Sequence, residues 1–118
     1  MNPIENINPL YRNPFGMAFQ WKRCPAAEAL KVHLVFRDMG LSLSFDELSK
    51  FSGCIGKALH NASYCKGCPN HGECRTHLLE TPLKQLSFVM NHQELTALKE
   101  LVDGTIFQLG LNKLLKGL

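Results

Sequence analysis

The stretch VHLVFRDMGLSLSFDELSKF, residues 32–51, contains the pattern that decides the fold. Alternate positions are apolar on both sides of RDMG, at Val32, Leu34, Phe36, Leu41, Leu43 and Phe45. This period of two predicts two strands of a β-hairpin that share one apolar face. A four-residue connection ending in Gly40 would place Phe36 opposite Leu41.

The end of the same stretch predicts a helix. Ser44 and Glu47 have the three-residue spacing of a capping box, in which each side chain accepts a hydrogen bond from the backbone N–H of the other residue. Apolar residues then recur at helical spacing, at Leu48, Phe51 and Ile55. We expect this helix to end near His60.

The second half of the chain repeats the arrangement in THLLETPLKQLSFVMNHQEL, residues 76–95. Two strand-like runs flank Pro82, and Asn91 and Glu94 form a second capping box. An apolar stripe follows at Leu95, Leu98, Leu101 and Val102, with expected interruptions at Gly104 and Gly110. The predicted fold is a single α+β domain of two ββα-like units, with a mostly antiparallel sheet, helices on one face and a cysteine-rich crossover loop.

The first 23 residues differ from the rest, so the sequence predicts a Pro/Asn-rich leader over 1–23 and the α+β domain over 24–118. Three Asn-Pro pairs in this leader favour extended or turn backbone and exclude a helix. Its second half is expected to pack against another surface because it contains Leu10, Tyr11, Phe15, Phe19 and Trp21.

Composition places the chain among globular proteins. At 118 residues, with 45% hydrophobic and 19% charged residues, it can bury one core without stabilising cross-links. The net charge of +3 is too small to indicate a dedicated nucleic-acid binder. The N-terminus lacks a signal-peptide pattern and no apolar run is long enough for a membrane span, so we expect a cytoplasmic protein that does not enter a membrane.

The segment YCKGCPNHGEC, residues 64–74, has the character of a metal site. The Cys-x-x-Cys spacing of Cys65 and Cys68 lets two thiolates reach one ion, and the glycines and proline suit a tight knuckle. Cys74 would be a third ligand, and the fourth would come from Cys54, His71, His77 or Cys24. Zinc accepts any of these four-ligand sets.

The same loop resembles the cysteine loop of iron-sulfur DNA glycosylases. That family ends its ligand set with Cys-x-x-Cys-Pro-x-x-x-x-Cys, which Cys65, Cys68, Pro69 and Cys74 match. Cys54 would be the first ligand, although ten residues separate it from Cys65 where the family has six. The resemblance is confined to this loop and implies a 4Fe-4S cluster as the alternative to zinc, without glycosylase activity.

Two longer segments, HLVFRDMGLSLSFDELSKF and LSFVMNHQELTALKELV, resemble a family of small uncharacterised proteins of Bacteroidetes-type bacteria. The likeness covers roughly residues 24–104. This chain has Arg37 where that family usually has Asn, and its Cys24 is not followed by a second cysteine three residues later. The resemblance supports the predicted fold and implies no activity.

The leading functional hypothesis is a non-enzymatic interaction or regulatory module for an unknown protein partner, with a structural zinc knuckle. The capping boxes account for the two glutamates that would otherwise suggest paired catalytic carboxylates. One alternative is an iron-sulfur or zinc protein that binds nucleic acid. A second is a thiol-redox protein that uses Cys65 and Cys68, since the adjacent Lys66 would lower a thiol pKa. A homodimer is compatible with all three hypotheses.

Overall fold

Two helices and six strands make up the fold of the computed structural model, which describes residues 7–21, 31–62 and 77–116. In chain order the elements are β1 (Ile7–Asn13), β2 (Gly16–Trp21), β3 (Val32–Phe36), β4 (Met39–Leu43), α1 (Phe45–Ala62), β5 (His77–Glu80), β6 (Ser87–Met90) and α2 (His92–Lys116). The predicted α+β class and both ββα units are confirmed.

The strands form two antiparallel sheets. One has the order β1-β2-β3-β4 and the other pairs β5 with β6. The four-stranded sheet exceeds the predicted ββα unit by one hairpin, which comes from residues 7–21 of the leader and joins the sheet through the pairing of β2 with β3. This part of the leader is extended, as the Asn-Pro pairs predicted, and it is an integral part of the sheet.

One of the two edge strands of the four-stranded sheet, β1, contains a bulge. Pro9 pairs with Phe19 and Tyr11 pairs with Ala18, so Leu10 is an extra residue on this strand. Leu10 is buried and Tyr11 packs against the core beside it. The extra residue therefore brings two consecutive large side chains to the helix side of the sheet.

The β3–β4 hairpin differs in register from the prediction. Leu34 is opposite Leu41, and Phe36 is opposite Met39, so the connection has two residues in place of the four predicted. Arg37, the first of the two, adopts the left-handed conformation with φ 55°. The predicted pairing of Phe36 with Leu41 was wrong, but a shift by two residues keeps every side chain on its own face.

The apolar alternation also ends earlier than predicted. Leu41 and Leu43 are buried, whereas Phe45 is 54% exposed because α1 begins there and turns its side chain away from the sheet.

Both capping boxes are present as predicted. Ser44 Oγ accepts a hydrogen bond from the Glu47 backbone N–H at 3.2 Å, and Glu47 Oε1 accepts one from the Ser44 N–H at 2.9 Å. At α2, the corresponding distances are 2.7 Å for Asn91 Oδ1 and 3.0 Å for Glu94 Oε1. Each box satisfies two N–H groups that have no partner within the helix.

The core lies between the helices and the sheets. The predicted apolar positions of both units are buried within it, including Leu48, Phe51, Ile55, Leu95, Leu98, Leu101 and Val102. The helices run antiparallel, since Ser52 of α1 contacts Asp103 of α2 while Gly56 lies beside Lys99. The turn of the β3–β4 hairpin is held to the start of α2 by an ion pair between Arg37 and Glu94.

The helix α2 is continuous through Gly104 and Gly110, in contrast to the predicted interruptions. The Tyr11 ring lies against Gly104, where a Cβ would come within 2.5 Å of its Cζ. Tyr11 also donates a hydrogen bond from its hydroxyl to Glu100. Gly104 is therefore required by a close contact between β1 and α2, while a Cβ added at Gly110 would meet no described atom within 4 Å.

We expect Gly104→Ala and Gly110→Ala to have opposite effects on thermal stability. Each alanine gains roughly 1 kcal/mol of helix propensity over glycine. At Gly104 the added methyl displaces the Tyr11 ring, so the melting temperature falls; at Gly110 it meets open space, so the melting temperature rises. Thermal unfolding followed by circular dichroism measures both, and an equal rise in both variants would contradict the packing of Tyr11 on α2.

Acid should remove part of the stability that Glu47 supplies. The hydrogen bond donated by the Ser44 backbone N–H, then the hydrogen bond donated by the Ser44 hydroxyl, and to a smaller extent the charges of Lys31 and Lys50, lower the pKa of Glu47 in the folded protein. The ionised carboxylate therefore stabilises the fold above the unfolded-state pKa of about 4.3, and this contribution is lost as pH falls through the folded-state pKa. Glu47→Gln should lower the midpoint of urea unfolding at pH 7, and the difference from the wild type should shrink below about pH 4.

The matched control for this pH series is Glu80→Gln, whose exposed carboxylate accepts no hydrogen bond from the part of the chain that the structure describes. A gap between wild type and Glu47→Gln that is constant with pH would contradict the assigned role.

Candidate binding face

The four-stranded sheet has an outer face that points away from both helices. Ala18 and Leu34 are paired neighbours on β2 and β3, and both are fully buried on the helix side. The next pair in the register, Phe19 with His33, points to the opposite side because successive side chains alternate along a strand. Trp21 shares this side with Phe19.

Three rings on this side form an aromatic cluster, which we define as Phe19, Trp21 and His33. Phe19 and His33 are stacked, with ring centroids 5.4 Å apart and planes at 21°. Trp21 meets both edge-on, at 5.3 Å from Phe19 and 5.8 Å from His33. All three side chains are half-buried, so the mutual contacts fix their orientation and still leave ring surface open.

One cationic side chain lies on this face. Arg12 is exposed and pairs with Met17 of β2, one residue pair beyond Ala18 from Phe19. Lys31, which immediately precedes β3, is also exposed, but its charge helps to lower the pKa of Glu47 at the start of α1, so its ammonium lies near that carboxylate.

The described outer face contains no carboxylate. Its members are Ile7, Pro9, Arg12, Met17, Phe19, Trp21, His33, Val35, Gly40 and Ser42. The carboxylates in the described ranges lie in the β3–β4 turn, in β5 and in the two helices. The face is therefore suited to a ligand that has flat apolar rings and negative charge.

The predicted metal ligands fall mostly outside the described residues. Cys65, Cys68, His71 and Cys74 lie there, as does Cys24. Over 7–21, 31–62 and 77–116, no group of three or more His, Cys, Asp or Glu side chains is arranged to hold a metal ion. The predicted zinc and iron-sulfur sites therefore remain predictions from the sequence.

Two candidate ligands lie at the margins of the crossover between the two ββα units. Cys54 is in α1, half-buried, with its side chain packed against the core, a position in which cysteine acts as a small apolar residue. His77 is the first residue of β5. Since α1 ends at Ala62, the cysteine segment connects the first unit to the second.

A shallow groove between the β1–β2 turn and α2 is a further concave feature, and structural contacts engage two of its polar side chains, Asn13 and Glu100. Asn13 Nδ2 donates hydrogen bonds to Ala97 O at 2.9 Å and to Glu100 Oε2 at 3.0 Å. The hydrogen bond from Tyr11 to Glu100 raises the pKa of the Tyr11 hydroxyl. These groups fasten β1 to α2.

The sequence contained a signal for the outer face that the metal hypothesis did not use. Met17, Phe19 and Trp21 alternate with Ala18, the period expected of a strand with large side chains on one side. The leader was predicted to pack through some of these residues, but its strand partner was not identified, so Phe19 could not be placed beside His33.

Comparisons of the chain with protein-family models, with curated proteins and with solved structures gave no match. Neither described helix has an apolar stretch of the length needed to cross a bilayer.

Proposed function

We propose that the protein is a non-enzymatic binding module that holds single-stranded nucleic acid on the outer face of its four-stranded sheet. The observation that carries the proposal is the cluster of Phe19, Trp21 and His33, half-exposed on the same face as Arg12 and without described carboxylates on that face.

Stacking on the aromatic cluster is the first part of the interaction. Bases in a single strand expose flat π surfaces, and stacking of a base on an aromatic side chain contributes roughly 1–3 kcal/mol. Antiparallel four-stranded sheets with outward aromatic side chains bind about two or three bases in this way in RNA-binding modules. The fixed mutual geometry of Phe19 and His33 reduces the rotamer entropy lost on binding.

Charge is the second part. Arg12 can contact a phosphate, and the absence of described carboxylates on the face removes the main source of repulsion. One phosphate contact predicts only a small salt dependence, with a slope of about −0.7 in log K against log salt for single strands. The small net charge of +3 is compatible with this local arrangement.

The proposal gives a direct optical test, because Trp21 is the only tryptophan in the chain. Titration with single-stranded oligonucleotides should quench Trp21 emission, whereas a duplex of the same sequence, whose bases are stacked on each other, should bind more weakly. Phe19→Leu retains the apolar character and removes the aromatic plane, so we expect an affinity loss of about tenfold, equivalent to roughly 1.4 kcal/mol.

Charge-reversal variants test whether binding depends on this face or on the overall basic charge of the protein. Arg12→Glu should weaken binding and reduce the magnitude of the salt slope by roughly 0.7. Lys84→Glu, an exposed lysine in the β5–β6 connection, is the matched control and should leave affinity close to that of the wild type at moderate salt. Absence of single-strand binding, or equal affinity of wild type and Phe19→Leu, would refute the proposal.

We propose separately that the cysteine segment is a zinc knuckle that orders the crossover from α1 to β5. Support comes from the spacing of Cys65, Cys68 and Cys74 and from the place of the segment between the two ββα units. Zinc ligation can supply about 10 kcal/mol or more of folding free energy, which exceeds the contribution expected from the small number of apolar side chains in this segment. A 4Fe-4S cluster and thiol-redox chemistry at Cys65 and Cys68 are the competing uses of the same thiols.

Elemental analysis of protein purified anaerobically under reducing conditions distinguishes these uses. We expect about one zinc per chain, lost together with several degrees of melting temperature in a Cys65→Ser, Cys68→Ser variant. Cys54→Ser provides the comparison within α1: zinc retained in this variant leaves the fourth ligand to a histidine or to Cys24. About four irons per chain would replace zinc by the cluster, and no metal would rule out both.

A further inference from the structure

The edge strand β4 has none of the features that usually prevent a further strand from adding to a sheet. Its sequence, MGLSL, contains no proline and no charged residue. Its pairing with β3 keeps one register from Met39 to Leu43, without a bulge. A regular edge of this kind presents a row of backbone N–H and C=O groups with which another strand can pair.

The hairpin turn determines which backbone groups of β4 face outward. A two-residue connection makes Phe36 and Met39 a hydrogen-bonded pair, after which bonded and non-bonded pairs alternate along the two strands. Every second residue from Met39 onward therefore bonds to β3, while Gly40 and Ser42 direct their N–H and C=O groups to the open edge. Both residues are exposed, and these outward groups bond to no other element in the part of the chain that the structure describes.

The side chains of β4 leave room for a second strand. On the outer face, Gly40 has no side chain and Ser42 has a small one. On the helix side, Met39 is 38% exposed although it is paired with the buried Phe36. Phe45, which is 54% exposed, follows the strand at its other end. The edge is therefore unobstructed along its length and has one exposed large apolar residue at each end.

We propose that β4 is the interface of a homodimer in which the β4 strands of two copies pair antiparallel about a two-fold axis at Leu41. In this register Gly40 of each copy is opposite Ser42 of the other, and each such pair exchanges both N–H···O bonds through the groups that face the open edge. Every outward backbone group of β4 is then bonded. The interface lies on the edge of the sheet, so it is independent of the nucleic-acid face proposed above.

The apolar ends of the strand favour a second copy as the occupant. The same register places Met39 opposite Leu43 of the other copy, on the helix side of both sheets. Phe45 of that copy is two residues further along, a diagonal separation that long and aromatic side chains bridge. A thioether beside an aromatic ring is a favourable contact, and the two-fold axis forms it twice. The strand is therefore complementary to itself.

The charges around the strand are compatible with this pairing. Since β4 has no charged residue, no like charges meet across the two-fold axis. Asp38 in the β3–β4 turn lies opposite Ser44 of the other copy, the N-cap of α1, and a carboxylate is favoured at the positive end of a helix. Asp46 beside this cap is paired with Lys50 at 3.1 Å, which reduces its repulsion of Asp38.

The size of the interface predicts a reversible dimer. Two short strands bury less than the roughly 1,200 Å² of a standard stable interface, so sedimentation equilibrium should show monomer and dimer together at micromolar concentrations. Ser42→Pro removes an outward N–H and leaves the bonds to β3, because proline is tolerated where the N–H of an edge strand faces solvent. This variant should remain monomeric over the same range. Ser42→Thr keeps the N–H, so as the matched control it should dimerise like the wild type.

Amide hydrogen exchange of the wild type tests the strand directly and does not depend on how well a variant folds. Exchange at Gly40 and Ser42 should slow as the protein concentration rises through the dimerisation range, because association bonds their N–H groups. Exchange at Leu41, whose N–H already bonds to β3, should change less. A wild type that is monomeric at high micromolar concentration, a Ser42→Pro variant that dimerises like the wild type, or exchange at Gly40 and Ser42 that is independent of concentration would each overturn the proposal.

Discussion

Alternation of side chains along β2 and β3 is the constraint on which the rest of the molecule depends. The pleat sends Ala18 and Leu34 to the helix side and Phe19 and His33 to the other. A shift by one residue in this pairing would bury the aromatic cluster and expose the centre of the core. The same register therefore determines both the stability of the domain and the content of the outer face.

The helices stay on one side of the sheet because several contacts fasten them there. The capping boxes begin α1 and α2 immediately after β4 and β6, so each helix folds back over its own hairpin. The contact of Tyr11 with Gly104 and Glu100 then holds the edge strand β1 against α2. Because the helices are held in this way to β1, β4 and β6, no described helix covers the outer face of the sheet.

Local signals in the sequence were sufficient for most of the fold. The caps at Ser44 and Asn91 and the period of two in β3 rest on neighbouring residues alone, so both were predicted correctly. The hairpin register was not, because a two-residue and a four-residue connection leave the same face apolar, and nothing in the sequence indicated that Arg37 would adopt a positive φ. The aromatic cluster on the outer face was harder to predict than the fold, since it joins Phe19 of β2 to His33 of β3 across a connection that has no short turn signal. The continuity of α2 also depends on a contact between distant parts of the sequence. Helix propensity disfavours glycine at position 104, but the packing of Tyr11 against this position leaves no room for a larger residue.

The bulge in β1 has a consequence for the behaviour of the protein at high concentration. An exposed sheet edge is a template on which strands of other molecules can add without limit, which leads to fibrils. Pro9 offers no N–H to an incoming strand, and the extra residue Leu10 breaks the regular spacing of the edge groups. This side of the sheet is therefore protected against open-ended growth, although the strand that forms it contains several apolar residues.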